Sequence, residues 1–195
     1  MKYKTLFMLA IMSGARQGEL LGLKWADLDL KNKQIKIRRT FNNQAWNKPK
    51  TRSSKREIDL GPTMIRALKK WRLACPPNKL DLMFPNEAGK PLNHNNMVNR
   101  HFTTALIKAK IDRIRFHDLR HTYASLLIEQ GENIKYIQSQ LGHSNPTVTL
   151  NVYAHLMNKT NPVSALRLEK SIFSTTGSKT KKGITAKPVT PCFYW

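Results

Sequence analysis

The sequence has few acids, only two cysteines and no long apolar run. Its 195 residues include 12 Asp and Glu, and 40% of them are hydrophobic. No apolar stretch approaches the ~20 residues that a membrane-spanning helix needs. Cys75 and Cys192 lie far apart, so they predict neither a disulfide framework nor a four-cysteine zinc site. We therefore expect a reducing, cytoplasmic environment and no membrane partner.

The N-terminal apolar stretch, residues 5–12, lacks the flanking sequence of a secretory leader. It runs into the polar segment 13–19, where a signal peptide would have a cleavage site with small residues. An amphipathic pattern follows, so the stretch predicts a helix of the folded domain.

Positive charge dominates the composition. The chain has 34 Lys and Arg against 12 acids, for a net charge of +22. Such a surplus repels itself unless a polyanion neutralises it, so nucleic acid is the first partner to consider. Alternatives left open by charge alone are a basic protein without such a partner and a ribosome-associated protein.

The segment between Lys31 and Arg56 contains ten of these cations and no acid. Cations on two strands and their connecting loop can follow a phosphate backbone, and each neutralised phosphate releases counterions. A solvated hairpin without a partner is the alternative. The predicted contacts to the DNA backbone are Lys36, Arg38, Arg39, Lys48, Arg52 and Lys55.

Hydrophobic periodicity predicts an α+β fold that is mainly α, a helical body with a small antiparallel sheet near the N-terminus. Apolar and polar residues alternate over 34–38 and 56–60, as in half-buried strands. Helical patterns occupy most of the remainder. The predicted helices cover residues 1–13, 19–25, from 62, 93–110, 117–131 and 134–141, with others starting at Pro146 and Pro162. We expect one domain over 1–173 and a disordered basic tail over 174–195, which contains no acid.

Four short segments carry the residues suited to chemistry. They are Gly14–Leu20 with Arg16, Pro49–Arg56 with Lys50, His117–Thr122 with Arg120, and Leu141–His143 followed by Tyr153. His117 and Arg120 are three residues apart, so a helix places them on one face. At a helix N-terminus this pair favours a phosphate oxygen. Each segment alone fits a structural role as well.

Together, the segments predict phosphoryl transfer through a covalent intermediate. A tyrosine hydroxyl has a pKa of ~10 and attacks poorly unless cations favour the phenolate. Two arginines can bind the non-bridging oxygens of the transition state, and a lysine can protonate the leaving oxygen. The scattered acids form no ligand cluster, so we expect neither a metal ion nor another cofactor.

These motifs, in this order, closely resemble the catalytic domain of the tyrosine recombinase (phage integrase) family. The resemblance covers residues 5–173 and rests on Ala15-Arg16-x-x-Glu19-Leu20, His117-x-x-Arg120-His121-Thr122, Leu141-Gly142-His143 and Tyr153. It implies that Arg16 and Arg120 clamp the scissile phosphate, that Lys50 protonates the leaving 5′-oxygen, that His117 acts as general acid/base, that His143 hydrogen-bonds a non-bridging oxygen, and that Tyr153 is the nucleophile. Lys50 is preferred because the family places this lysine before the second strand.

The same resemblance implies site-specific DNA recombination, the integration or excision of a mobile element, through a 3′-phosphotyrosyl intermediate. Double-stranded recombination sites, a homotetramer on DNA, accessory directionality or DNA-bending proteins, and a bacterial or phage-encoded, nucleoid-associated enzyme follow as expectations. Arg16 comes after only fifteen residues, so we expect an N-terminally truncated domain without the separate DNA-clamping domain of the family.

Three other functions are compatible with parts of the pattern. A catalytically impaired remnant would only bind DNA, and a topoisomerase-like enzyme would use the same chemistry without site preference. His117 and His121 also have the i, i+4 spacing of a zinc-protease helix. That alternative is weak, because Asp118 stands where the catalytic Glu is expected and Arg120 would lie beside the metal.

Overall fold

The computed structural model describes residues 1–47 and 55–143, with Asn145, Thr147, Leu166, Glu169 and Lys170. The backbone separates into one unit over 1–157 and a second over 158–195. In the second unit, Leu166, Glu169 and Lys170 are helical and exposed. Lys50, Tyr153 and the predicted tail lie outside the described residues, and of the helix predicted from Pro162 only Leu166, Glu169 and Lys170 are described.

In the described part of the chain, helices predominate around a small sheet. The helices are α1 (Lys2–Ser13), α2 (Gln17–Leu21), α3 (Pro62–Ala74), α4 (His94–Asn96), α5 (Thr103–Lys108), α6 (Asp118–Glu129) and α7 (Ile134–Leu141), with a 3-10 turn at Trp25–Asp27 and a π-helical segment at Met97–Phe102. The strands are β1 (Leu28–Asp29), β2 (Gln34–Ile37), β3 (Thr40–Asn42), β4 (Ala45–Asn47) and β5 (Arg56–Asp59). The predicted α+β class is confirmed. No described helix is long and apolar enough to cross a bilayer.

Helix α1 packs against α3 and α6 and ends at Gly14. Gly14 adopts the left-handed conformation, with φ of 58°, and its N–H donates to the Ala10 carbonyl. A Cβ at this position would collide with the Tyr123 ring of α6. Only glycine therefore allows the chain to turn here against α6, which brings the Arg16 segment to that helix.

The three-stranded sheet is antiparallel, in the order β1–β2–β5. Ile35 of β2 faces Ile58 of β5, and both are fully buried. The alternation that predicted β2 and β5 therefore reports a real half-buried sheet. Strand β1 and a separate hairpin of β3 and β4 were not predicted; only a connecting loop was expected between β2 and β5.

Residues 82–84 are buried and belong to the connection between α3 and α4. Leu82 bridges to Lys24, and the Met83 carbonyl accepts a hydrogen bond from Trp71 Nε1 at 2.7 Å. The segment is a buried loop with one isolated bridge rather than a further strand of the sheet. Phe84 joins the main core.

Helices α6 and α7 have bounds close to the predicted ones. Asn133 caps α7 by accepting from the Lys135 N–H, and Gly142 ends it with a left-handed φ of 67°. Tyr123 and Leu141 form part of a second, smaller core cluster between these helices. This cluster supports the turn in which the chain leaves α7 for His143.

Candidate active site

Three of the predicted segments meet at the C-terminal end of α7. Arg120 is 5% exposed and donates to the Gly14 carbonyl at 2.6 Å and to the Leu141 carbonyl at 2.7 Å. Arg16 donates to the Gly142 carbonyl at 3.3 Å. The two guanidiniums thus bind consecutive carbonyls of one turn, and this turn leads directly to His143.

Glu19 fixes the position of Arg16 through hydrogen bonds. Its carboxylate accepts from the Arg16 backbone N–H at 2.7 Å and from Arg16 Nη1 at 3.1 Å. Arg56 donates to the same carboxylate through both terminal nitrogens, each at 2.9 Å. Burial would raise the pKa of Glu19, but the hydrogen bonds and charges of Arg56 and Arg16 outweigh it, so the pKa is lowered. Through these contacts Glu19 both orients the Arg16 side chain and caps the start of α2.

Arg56 is the positioning residue that the sequence analysis did not assign. Its Nε donates to the Gln140 carbonyl at 2.6 Å, so it joins β5 to α7 as well as to Glu19. The Gln140 side chain in turn accepts from the Asp59 N–H at 2.9 Å. A usable signal existed, because period-two alternation places Arg56 on the buried side of the strand with Ile58.

His143 lies partly buried among these arginines. Burial, followed by the charges of Arg120, Arg16 and Arg56, lowers the pKa of His143 to about 4. The imidazole is therefore neutral at pH 7 and can donate one hydrogen bond without adding charge. Gln138 Nε2 fixes the backbone here by donating to the His143 carbonyl at 3.1 Å.

His117 stands at the N-cap of α6, one turn before Arg120. Burial lowers the pKa of His117, and the neighbouring His121 and Arg120 lower it further. The rings of His117 and His121 meet edge to face, with centroids 5.1 Å apart. His117 also lines a cavity of about 560 Å³ together with Gln17 and His94.

Of the four described residues that were predicted to contact the DNA backbone, two form ion pairs and two are exposed. Lys36 pairs with Asp29 at 3.1 Å and with Glu57 at 3.5 Å, while Arg39 forms a close ion pair with buried Asp27 at 2.5 Å. Arg38 and Lys55 are exposed. These backbone contacts remain predictions, as do those of Lys48 and Arg52, which lie outside the described residues.

Lys50 and Tyr153 also lie outside the described residues, so their predicted roles remain predictions. Within residues 1–47 and 55–143, Arg16, Arg120 and His143 gather around the end of α7, and His117 lies one turn before Arg120 at the start of α6. Across the same residues, no three His, Cys, Asp or Glu side chains are grouped closely enough to hold a metal ion. The described site is thus a cluster of guanidiniums and imidazoles, suited to binding an anion with several oxygens.

Residues 1–160 match the model of the phage integrase family. The chain belongs to the phage integrase family. The predicted resemblance to its tyrosine recombinase catalytic domain is therefore confirmed. This integrase-family chain is 33% identical to a tyrosine recombinase XerC-like protein of Caldanaerobacter subterraneus subsp. tengcongensis, over 85% of this chain and 49% of that protein. It is 32% identical to the integrase of Staphylococcus phage L54a, over 83% of this chain and 50% of that protein.

Solved structures share the fold of the integrase-family chain. The Tn1549 transposon integrase bound to a circular intermediate DNA superposes with a TM-score of 0.71 at 23% identity, covering 88% of this chain and 58% of that one. XerA recombinase gives a TM-score of 0.61 at 25% identity, covering 88% and 62%. The chain spans about half the length of the curated relatives that it matches.

Proposed function

We propose that this chain is the catalytic part of a site-specific DNA recombinase that cleaves and rejoins strands through a 3′-phosphotyrosyl intermediate. The observation that carries the proposal is the shared turn: Arg120 and Arg16 bind the carbonyls of Leu141 and Gly142, next to His143. Two guanidiniums and a neutral imidazole at one point suit a phosphodiester with two non-bridging oxygens.

The proposed reaction conserves the phosphate ester. The Tyr153 oxygen attacks phosphorus and forms a P–O bond, while the bond to the 5′-oxygen breaks. His117 takes the phenolic proton, and Lys50 gives a proton to the departing 5′-oxygen. Arg16 and Arg120 bind the non-bridging oxygens, and His143 donates a hydrogen bond to one of them. Attack by a 5′-hydroxyl then reverses these steps and joins the strands without an external energy source.

The proposal includes double-stranded recombination sites of a mobile element as substrate. Structures of the Tn1549 integrase with circular intermediate DNA and of XerH recombinase with its difH substrate support DNA as the partner. A homotetramer on two sites, accessory DNA-bending or directionality proteins and action without a metal ion belong to the same proposal. The large positive charge of the chain, +22, suits this polyanionic partner.

Covalent capture tests the proposal. The chain is incubated with a pool of nicked duplexes of random sequence, from which the short cleaved product dissociates and traps the intermediate. We expect a protein–DNA adduct that survives denaturation, persists with EDTA, and maps to Tyr153 by mass spectrometry of the nuclease-treated peptide. Tyr153→Phe should abolish it.

The matched control is Tyr136→Phe, since Tyr136 lies on α7 and its hydroxyl bonds Asp59 at 3.0 Å. This variant should keep the adduct. DNA binding by the unaltered chain with no adduct would overturn the catalytic proposal and identify a DNA-binding remnant. Equal capture of all sequences would instead favour the topoisomerase-like alternative.

A further inference from the structure

A cleft of about 690 Å³ lies between the tip of the β3–β4 hairpin, the start of α2 and the segment before α4. No Asp, Glu, Lys or Arg side chain is among its described lining residues. Six of the ten side chains that line it are amides: Gln17, Asn42, Asn43, Gln44, Asn93 and Asn95. In a chain with a charge of +22, an uncharged and amide-rich cleft is a distinct surface.

Most of these amides retain hydrogen-bonding capacity. The side chains of Asn42, Asn43, Gln44 and Asn95 are exposed and form no hydrogen bond with any residue that the structure describes. Elsewhere, amides are used internally: Asn78 bonds the Leu82 backbone at 2.7 and 3.2 Å, for example. The cleft therefore presents donors and acceptors together to a ligand.

The cleft borders the candidate active site. Gln17 follows Arg16 directly, and its side chain contacts His94. Gln17 and His94 line both this cleft and the 560 Å³ cavity that contains His117. The cleft therefore lies beside the start of α2, the helix capped by Arg16.

Gly18 shows that the hairpin is fitted against α2. A Cβ at Gly18 would collide with the amide of Asn42, so glycine leaves the space that this side chain occupies. The Asn42 amide of β3 thus packs on Gly18 of α2, two residues after Arg16. The amides of the hairpin are therefore positioned by α2, the helix that Arg16 caps.

The tip of the hairpin carries a side chain where glycine is conformationally easier. Asn43 and Gln44 have φ of 49° and 59°, as at the two centre positions of a type I′ turn. Asparagine tolerates this region, but glutamine is disfavoured in it. Position 44 thus carries an amide side chain although its positive φ favours glycine.

We propose that the amide-lined cleft binds the edges of DNA base pairs beside the cleaved phosphate and thereby sets the sequence at which the chain acts. This inference rests on the phosphodiester-binding part of the proposed function. A carboxamide donates and accepts at once, which matches the N6 and N7 groups of adenine in a bidentate pair. Phosphates are a poorer match, because the described lining has no Lys or Arg.

Sequence selection from random duplexes tests the inference with the full chain. Bound DNA is recovered without requiring cleavage and sequenced for the unaltered chain, Gln44→Gly and Asn43→Gly. These variants remove an amide and relieve a positive φ, so they should fold at least as stably. We expect them to reduce the base preference at one or two positions by roughly 5- to 150-fold.

Lys110→Gly is the matched control, since Lys110 also has a positive φ of 54° and does not line the cleft. It should retain the base preference of the unaltered chain. Unchanged preference in both cleft variants, or no preference in the unaltered chain, would overturn the inference. A lower salt dependence of binding in Gln44→Gly would also overturn it, because that slope counts phosphate contacts. Adduct yield, measured separately, tests the chemistry independently.

Discussion

Glu19 and Arg56, 37 residues apart in sequence, form a buried bidentate ion pair with two 2.9 Å hydrogen bonds. Their side chains are 1% and 5% exposed, respectively. Since Glu19 also binds the backbone and side chain of Arg16, the pair connects the strand β5 to a predicted catalytic arginine. Buried charges are costly unless paired, so the stability of this region depends on both partners.

Replacing Arg56 by Ala should therefore destabilise the fold by about 3–5 kcal/mol, because it leaves Glu19 buried with less compensation. Urea unfolding followed by circular dichroism measures the change. The control is Arg115→Ala, which breaks the exposed pair between Arg115 and Asp118 and should leave the unfolding midpoint unchanged. Equal midpoints for the two variants would contradict the buried-pair account.

The same pair predicts the acid response. The folded-state pKa of Glu19 is lowered, so its charged form stabilises the fold above the pKa of the unfolded chain. That contribution is lost as the pH falls through the folded-state value. Without Arg56, Glu19 should take up a proton at a higher pH. Acid unfolding of Arg56→Ala should accordingly begin at higher pH than that of the unaltered chain.

Gly14 provides a test of the turn that brings Arg16 to α6. Gly14→Ala should cost about 1–2 kcal/mol from the left-handed backbone alone, plus the displacement of Tyr123. Gly131→Ala is its control, since Gly131 has φ of 78° with no atom within 4 Å of an added Cβ. The difference in thermal midpoint between the two variants then reports packing against Tyr123. No difference would mean that α6 does not constrain the turn.

Arg120 stabilises the turn after α7 and is also proposed to bind the phosphate. The stability and the adduct yield of the Arg120→Lys variant measure these two roles separately. A single ammonium cannot bond the carbonyls of Gly14 and Leu141 as the guanidinium fork does. Arg120→Lys should thus lose about 1–3 kcal/mol of stability and the covalent adduct. Arg16 is 39% exposed at its side chain, so Arg16→Lys should lose the adduct with a smaller change in stability. Urea unfolding and denaturing gels measure the two effects.

Local patterns predicted the elements that carry local signals. Helix α7 was predicted with its bounds, because Gly142 supplies the left-handed ending that a helix stop needs. The β3–β4 hairpin was missed, since its tip is Asn43-Gln44 rather than the Asn-Gly or Asp-Gly pair that marks such turns. Here tertiary packing on α2, through Asn42 and Gly18, replaces the missing turn signal.

The sequence indicated which residue types form the candidate site, but not the contacts of Arg56 that hold them in place. Arg16, His117, Arg120 and His143 were predicted through the family resemblance. The structure brings Arg16, Arg120 and His143 together at the end of α7 and places His117 one turn before Arg120. The role of Arg56 depends on contacts with Glu19 and Gln140, 37 and 84 positions away in sequence. Such long-range pairing leaves no periodic trace, apart from the inward position that Arg56 shares with Ile58 in its strand.

His143 yields a prediction with a defined pH range. In an unfolded chain a histidine has a pKa of about 6.5, whereas the folded value is about 4. The unfolded chain binds this proton at a higher pH than the folded chain does. The contribution of His143 to the free energy of unfolding is therefore complete above the unfolded-state pKa and declines as the pH falls towards 4. Titration of the assigned His143 ring signal by NMR should give a midpoint near 4, with His143→Gln identifying the signal. Adding duplex DNA should raise that midpoint, because a phosphate beside the ring favours the imidazolium. A midpoint near the unfolded value in the free protein would show that the arginines do not surround this ring.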